Sequence, residues 1–426
     1  MTPITPCETP ADLDGGYRKG SPELRRAGVA LFLAGIATFA QLYSTQAILP
    51  ELSRQFGITP ADASLSVSVS TAGIGVGLLI AGPLSEVVGR TRLIHFSLFA
   101  AGAMAILCVF APSWQWLLVG RGIEGLALAG LPAVAAVYLR EEVHASLASS
   151  ATGLYIAGTT FGGMAGRLIS AGLTEWGSRV GTSGWPIPIE VWQLAVGGNA
   201  VLALGCAVAC LVLLPASRRF VPAPRSIRHL ARQSIRVFAD PALLALYGIA
   251  ALMMGAFVGV YNTIGFRLEA EPYLLSVGLA GLVFCVYPVG GVGSVIAGRL
   301  ADRFGQRAIV PAAATITIIG LLLMAARPLP LIIVGIALMT AGFFAVHGVA
   351  SGWVAARAGA GVGGAGQAVA MYMLFYYLGS SVGGSAAGVA FSGFGWSGVT
   401  VLTVSLVGLA LVLGLLLRRT KRLTRR

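Results

Sequence analysis

Charge is what this chain has least of. Only 11% of its 426 residues are Asp, Glu, Lys or Arg, against about 25% in an average soluble domain. Acids are the scarcer sign, 16 against 29 Lys and Arg. No G-x-x-x-x-G-K-[ST] occurs, which excludes a nucleotide-driven pump. Nor does the chain carry a nucleophile–base set, a metal-ligand cluster or a soluble domain. A membrane enzyme or receptor is therefore not expected, and neither a cofactor nor a metal is called for. The five cysteines are an odd number, and Cys108, Cys206, Cys210 and Cys285 lie in apolar runs; Cys7 precedes them. They give no disulfide framework and read as small packing residues. No small-residue cleavage site follows the first apolar run, which is expected to stay as a span.

What the chain has is hydrocarbon. It is 56% hydrophobic with a mean hydropathy of +0.84. Apolar runs of about 20 residues recur, each long enough to cross a core of about 30 Å as a helix. The 58 glycines suit close helix packing in lipid. The expected fold is an all-α polytopic membrane protein of twelve spans: 27–50, 64–84, 93–111, 116–138, 149–173, 191–214, 241–266, 275–298, 308–326, 331–354, 368–391 and 397–417. An even number puts both termini on one side. The loops of that side carry most of the Lys and Arg. The opposite side carries only Arg54, Arg179, Arg267 and Arg327. By the positive-inside rule both termini are expected in the cytoplasm. The net charge of +13 then belongs to one-sided loops, and nucleic acid is not an expected partner.

Residues 1–26 read as a cytoplasmic tail, 27–214 as an N-terminal six-helix bundle and 215–240 as a cytoplasmic linker. Residues 241–417 read as a C-terminal six-helix bundle, and 418–426 as a basic tail that touches anionic lipid. The linker is Arg- and Pro-bearing and partly amphipathic (Ile227, Leu230, Ile235, Val237, Phe238).

Two repeats support the halves. Gly298-Arg299-Leu300-Ala301-Asp302-Arg303-Phe304-Gly305-Gln306-Arg307 has a degraded copy 216 residues earlier, from Gly82 through Ser85, Glu86 and Gly89 to Arg90 and Arg92. Tyr155 to Gly163, with Gly158 and Gly162, recurs as Tyr376 to Gly384, with Gly379 and Gly383, at an offset of 221. Internal repeats of this kind mark transporters with a site between halves near the midplane.

Gly298–Arg307 resembles the signature loop of the major facilitator superfamily, G-x-L-A-D-R-x-G-x-R. The resemblance covers essentially the whole chain and implies alternating access between two pseudo-symmetric bundles. It implies a gating set of Gly82, Glu86, Gly89, Arg90, Gly298, Asp302, Arg303, Gly305 and Arg307. Their charges would latch the bundles in one state and part in the other. The first copy departs from the pattern at Glu86 and Val87. Span five is similar to the antiporter motif G-x-x-x-G-P-x-x-G-G, with Gly163 in place of the Pro and Arg167 in place of the last Gly. Stretches such as Gly153–Ser170, Tyr261–Gly265, Ala341–His347 and Gly366–Ser381 resemble the YnfM-like, acriflavine-type drug-efflux branch.

Three charged side chains fall inside spans: Arg121, Glu124 and Arg167. An ionisable group in hydrocarbon is expensive and so faces a partner or a cavity. Arg121 and Glu124 are three apart and share a helix face. Arg167 falls at similar depth on the next span, so Glu124 is expected to be shared between two arginines. Arg121 to Gly125 also resembles the R-x-x-Q-G motif of proton-driven exporters. A proton path and a buried structural ion pair would use the same residues. His347 is the lone span histidine and either joins that path or packs. Gln41, Tyr43, Gln46, Tyr155, Tyr261, Asn262, Tyr287, Tyr372 and Tyr376 are candidates for a substrate cavity. The resemblance implies that their spans line one. Tyrosines there suit amphipathic or cationic solutes.

The expected function is proton-coupled efflux of small organic, drug-like solutes by a functional monomer, with protons, solute and the lipid bilayer as its partners. Uptake of a metabolite such as a sugar or carboxylate is the alternative.

Overall fold

The computed structural model describes residues 16–181, 189–220, 238–362 and 364–420. Most of the expected linker and most of the basic tail lie outside the described residues. The elements are α1 (Pro22–Leu42), α2 (Leu49–Phe56), α3 (Pro60–Val88), α4 (Arg90–Val109), α5 (Trp114–Leu128), α6 (Gly130–Glu142), α7 (Ala145–Val180) and α8 (Val191–Leu213). In the second half come α9 (Pro241–Glu269), the short α10 (Val277–Gly281), α11 (Pro288–Phe304), α12 (Gln306–Leu323), α13 (Leu329–Arg357) and α14 (Ala365–Leu416). Ten helical stretches among the described residues are long and apolar enough to cross a membrane.

Local chemistry sets the ends. Ser21 accepts from the Leu24 N–H ahead of Pro22, and Thr59 and Asp62 form a reciprocal capping box ahead of Pro60. Asp240 accepts from the N–H groups of Ala242 and Leu243 ahead of Pro241. In each case a side-chain oxygen takes an orphan N–H, and proline fills the position where no donor is needed. Within Ala365–Leu416, the expected spans 368–391 and 397–417 are two helices that meet at Gly395, whose backbone is not helical (φ 59°, ψ −152°). Only glycine reaches that region without strain. The reversal at Gly395 sends the second helix back beside the first, so that Phe375 and Leu413 both reach the start of α9.

The two signature loops have one backbone shape. Gly89 joins α3 to α4 at φ 98°, ψ 150°, and Gly305 joins α11 to α12 at φ 85°, ψ 148°. The second repeat has a packing cause. A Cβ on Gly158 or Gly162 would meet the backbone of Phe32 or Ile36 on α1 within 2.6 Å; on Gly379 or Gly383 it would meet Ala251 or Gly255 on α9 within 2.3 Å. The repeated glycines let α7 seat on α1 and α14 seat on α9 at backbone contact.

The two ends of the molecule differ. On the face that carries the described termini, several ties stay within one half or join it to the start of the linker. Arg90 pairs with Glu141 at 3.0 Å and also donates to Ser85. Glu142 Oε1 accepts from Ser217 Oγ and from the N–H groups of Arg218 and Arg219 at 2.8–2.9 Å. Arg357 pairs with Asp240 at 3.0 Å. On the far face, ties run between halves. Arg54 pairs with Glu269 at 2.9 Å, the Gly278 N–H donates to Glu175 at 3.1 Å, and Ser385 Oγ donates to Ser68 Oγ at 2.8 Å.

Candidate functional site

The site grows from a break in the first span. Past Leu42 the chain leaves α-geometry at Tyr43, Ser44 and Thr45 and makes a 3₁₀ turn over Gln46–Ile48 before α2. Such a break strands backbone carbonyls, which inside hydrocarbon must find protein donors. Arg121 supplies them. Its Nη1 donates to Gln41 O at 3.0 Å, Nη2 to Leu42 O at 2.8 Å, and Nε to Ser66 O at 3.3 Å. Ser170 Oγ donates to Ser44 O at 2.6 Å.

Glu124 neutralises that arginine. Its Oε2 accepts from Arg121 Nη1 at 2.7 Å, and both side chains are 1% exposed. The other oxygen, Glu124 Oε1, has no hydrogen-bond partner. The shared-carboxylate cluster expected from depth does not form. Arg167 lies on the other side of the 41–46 break and bonds elsewhere: Nε donates to Gln46 Oε1 at 2.6 Å and Nη1 to Gly163 O at 2.5 Å. Depth along a helix fixes which residues can be level, not which way they point. Here the broken strand of α1 comes between them.

Four aromatic rings surround the Arg167 guanidinium. Their centroids lie at 4.3 Å (Tyr43), 4.8 Å (Tyr287), 5.2 Å (Phe284) and 5.5 Å (Tyr261). Three come from the second half, so the guanidinium bridges the halves. The two departures from the antiporter pattern act together. A Cβ on Gly163 would stand 3.3 Å from Arg167 Nη1 and 3.5 Å from the Tyr287 ring. Glycine at 163 leaves the space that arginine at 167 uses. The repeat counterpart, Gly388, has no room for a side chain, since its Cβ would meet Ser64 and Ala61 within 2.9 Å.

Gln46 connects the halves a second way, donating through Nε2 to Asn262 Oδ1 at 2.6 Å. Tyr261 shares a hydrogen bond with Thr340 Oγ1 at 2.9 Å. His347 meets the Tyr372 hydroxyl at 3.1 Å through Nδ1 and lies 4.7 Å from the Tyr376 ring. It therefore belongs to an aromatic cluster of the second half and not to the Arg121–Glu124 pair. Tyr155 is 8% exposed. The Gln41 amide is buried with neither atom partnered.

The expected gating set splits. Arg90 is engaged within the first half, where it also lies 5.5 Å from the Phe220 ring. Glu86 makes a contact of its own. Arg307 and Arg418 exchange hydrogen bonds at 3.0 and 3.1 Å. Asp302 is exposed, and no hydrogen bond or ion pair of it is described. Arg303 lies over the adjacent Phe304 ring at 5.2 Å. Gly82 and Gly298 have open space where a Cβ would stand. Sequence reasoning missed Phe284 and the far-face pairs Arg54–Glu269 and Glu175–Gly278. A signal for one was present: Arg54 and Glu269 are 215 residues apart, within one residue of the loop-repeat offset.

The comparisons agree with this architecture. The profile of the Major Facilitator Superfamily matches residues 31–291 and 268–426. This chain belongs to that superfamily and is a multi-pass membrane transporter protein, not an enzyme. It is 39% identical over 405 residues to the uncharacterized MFS-type transporter YybF of Bacillus subtilis, covering 95% of this chain and 96% of that one. It is 38% identical over 402 residues to the inner membrane transport protein YnfM of Escherichia coli, covering 94% and 93%. Among solved structures it is similar to a bacterial homologue of the human lysosomal transporter Spinster in an inward-facing, occupied conformation. The TM-score is 0.75 at 17% identity, over 94% of this chain and 98% of that one, a likeness of fold.

Proposed function

We propose that this protein is a proton-coupled exporter of small organic solutes. It works by alternating access, as a monomer in the cell's inner membrane, with both termini in the cytoplasm. The observation that carries the reading is the placing of ties between the halves. They gather on the far face (Arg54–Glu269, Glu175–Gly278) and around Arg167 and Gln46–Asn262. On the termini face, Arg90–Glu141 and Asp240–Arg357 hold each half to itself. That arrangement suits a carrier closed outward and able to part inward.

Glu124 is the proton carrier in this reading. It is the one carboxylate among the described residues at mid-membrane depth, and it keeps a free oxygen beside Arg121. The solute is amphipathic. A cationic solute is disfavoured, because the aromatic faces that would hold it already hold Arg167. Uptake of a metabolite is the second reading, and Arg167 favours it to the extent that the solute is an acid.

The test uses purified full chain in liposomes with a pH dye inside and an imposed proton gradient. Solutes are added to wild type and Glu124→Gln. Solute-driven proton flow in wild type and none in Glu124→Gln supports coupled export through Glu124. Equal flow in both removes Glu124 from the path. Solute flux with no proton movement replaces the exporter by a facilitator.

A further inference from the structure

Arg167 is the charge the membrane interior leaves over. Among the described residues the buried mid-membrane charges are Arg121, Glu124 and Arg167. Arg121 and Glu124 cancel at 2.7 Å. Arg167 is 0% exposed and has no carboxylate partner among the described residues. Two of its nitrogens are used by neutral acceptors, Gln46 Oε1 and Gly163 O. Its third, Nη2, is buried and makes no well-formed hydrogen bond; the neutral Tyr287 hydroxyl is the further group that interacts with the guanidinium. A buried cation held only by neutral groups keeps an unmet demand for an anion.

A second observation falls at the same place. Two broken helices meet there, one from each half. The first span is broken at 43–48, and the second half is broken by the 3₁₀ turn Leu282–Val286 between α10 and α11. Tyr43 and Gln46 stand on one break, Phe284 and Tyr287 on or just after the other, and all four touch or face the guanidinium. Irregular backbone at membrane depth is tolerated where it lines a site, and discontinuous helices recur at transporter substrate sites.

We propose that Arg167 Nη2 is the recognition point for the carboxylate of a flat, largely apolar organic acid, seated between the Tyr43 and Tyr287 rings. One free nitrogen suits one carboxylate oxygen. It does not suit a phosphate, whose several oxygens need several donors. The rings supply apolar walls for the carbon skeleton. A cation is repelled by the guanidinium, and a neutral amide forfeits the charge. This assignment narrows the solute class of the transport reading and rests on it only for the position between the halves.

The experiment reads binding without transport. The full chain in detergent micelles is titrated with benzoate, 4-hydroxybenzoate and hexanoate, each beside its amide and the matching amine, and thermal unfolding is followed. At least one acid should raise the midpoint saturably, with its amide and amine at least about tenfold weaker, the loss expected for one charge-assisted hydrogen bond. Arg167→Gln should lose that preference, and Arg167→Lys should keep the preference for acid over amide at lower affinity. The assignment is overturned if no acid binds, if amide or amine binds as well as the acid, or if Arg167→Gln binds the acid as wild type does. The wild-type comparison decides even where a variant fails to fold. Acid binding without proton flow in liposomes would sink the proton-coupled reading and leave the site standing. Proton flow driven by amines and not by acids would do the reverse.

Discussion

Gln46 donates to Asn262 across the boundary of the halves at 2.6 Å, and the two are 216 residues apart. The bond joins the break after α1 to α9 across the two halves, and Arg167 leans on it through the same glutamine side chain.

Removing that glutamine should loosen the far-face seal. Gln46→Ala strips an acceptor from Arg167 and a donor from Asn262, whose Nδ2 already lacks a partner. The expected cost is about 1–3 kcal/mol, the price of a buried polar group left unmade. Ser64→Cys sits in the far seam, 0% exposed and close to Gly388. Its labelling by a bulky maleimide should be slow alone and several-fold faster when combined with Gln46→Ala.

The Arg121–Glu124 pair predicts an asymmetry between its two partners. Arg121→Met strands the carbonyl of Leu42 and leaves Glu124 alone, while Gln41 O keeps the Ser44 hydroxyl and N–H. It should cost about 3–5 kcal/mol and lower the yield of folded chain. Glu124→Gln keeps an acceptor for Arg121 but leaves its charge uncompensated; it should lose less folded chain than Arg121→Met, with the solute-coupled proton signal gone. Equal loss of folded protein in both variants would point to a purely structural pair.

The Arg54–Glu269 pair should contribute little to stability. The Arg54 side chain is 55% exposed and the Glu269 side chain 10%, so water screens the pair from the arginine side, and pairs open to water contribute about 0.2–1 kcal/mol. A double-mutant cycle with Arg54→Ala and Glu269→Gln, read by thermal unfolding, should return a coupling in that range. A coupling above about 2 kcal/mol would mean that the pair is shielded from water.

The repeated glycines predict packing failure, not loss of chemistry. Gly383→Val pushes a side chain against the Gly255 backbone, where a Cβ already stands at 2.3 Å. Overpacking of this kind costs about 1–3 kcal/mol or more. It should remove the monodisperse peak in size-exclusion chromatography. Gly172→Ala, with open space around it, should leave the peak in place.

Much of this was legible in the chain itself. The all-α, membrane-spanning character was readable because hydrocarbon tolerates few charges over a helix-length run, while the expected count of twelve stands against ten apolar stretches among the described residues. The halves were readable because backbone demands at Gly89 and Gly305, and at Gly162 and Gly383, hold the same glycine in both copies. Arg121 and Glu124 were readable as partners from a spacing of three. The Arg167 surroundings were not readable in full. Azimuth around a helix and the break at residues 43–48 decide them, and no local signal announced that break. Phe284 was missed for a related reason, since an aromatic in an apolar run looks like packing until a charge is found beside it.

The two ties also imply a mechanical ordering. Gln46–Asn262 is buried at the break after α1, and Arg54–Glu269 lies further out, on α2 and the end of α9, with the arginine half in water. When two bodies rock about a fulcrum near the centre, displacement grows with distance from it. In the proposed alternating-access cycle the outer ion pair has the longer lever arm and travels further. The amide pair near the fulcrum has a short arm and needs only a small tilt to let go. The weak, salt-screened contact therefore sits where travel is large, and the buried, directional one sits where travel is small. A gate graded in that way resists small fluctuations at its centre while leaving its rim free to yield.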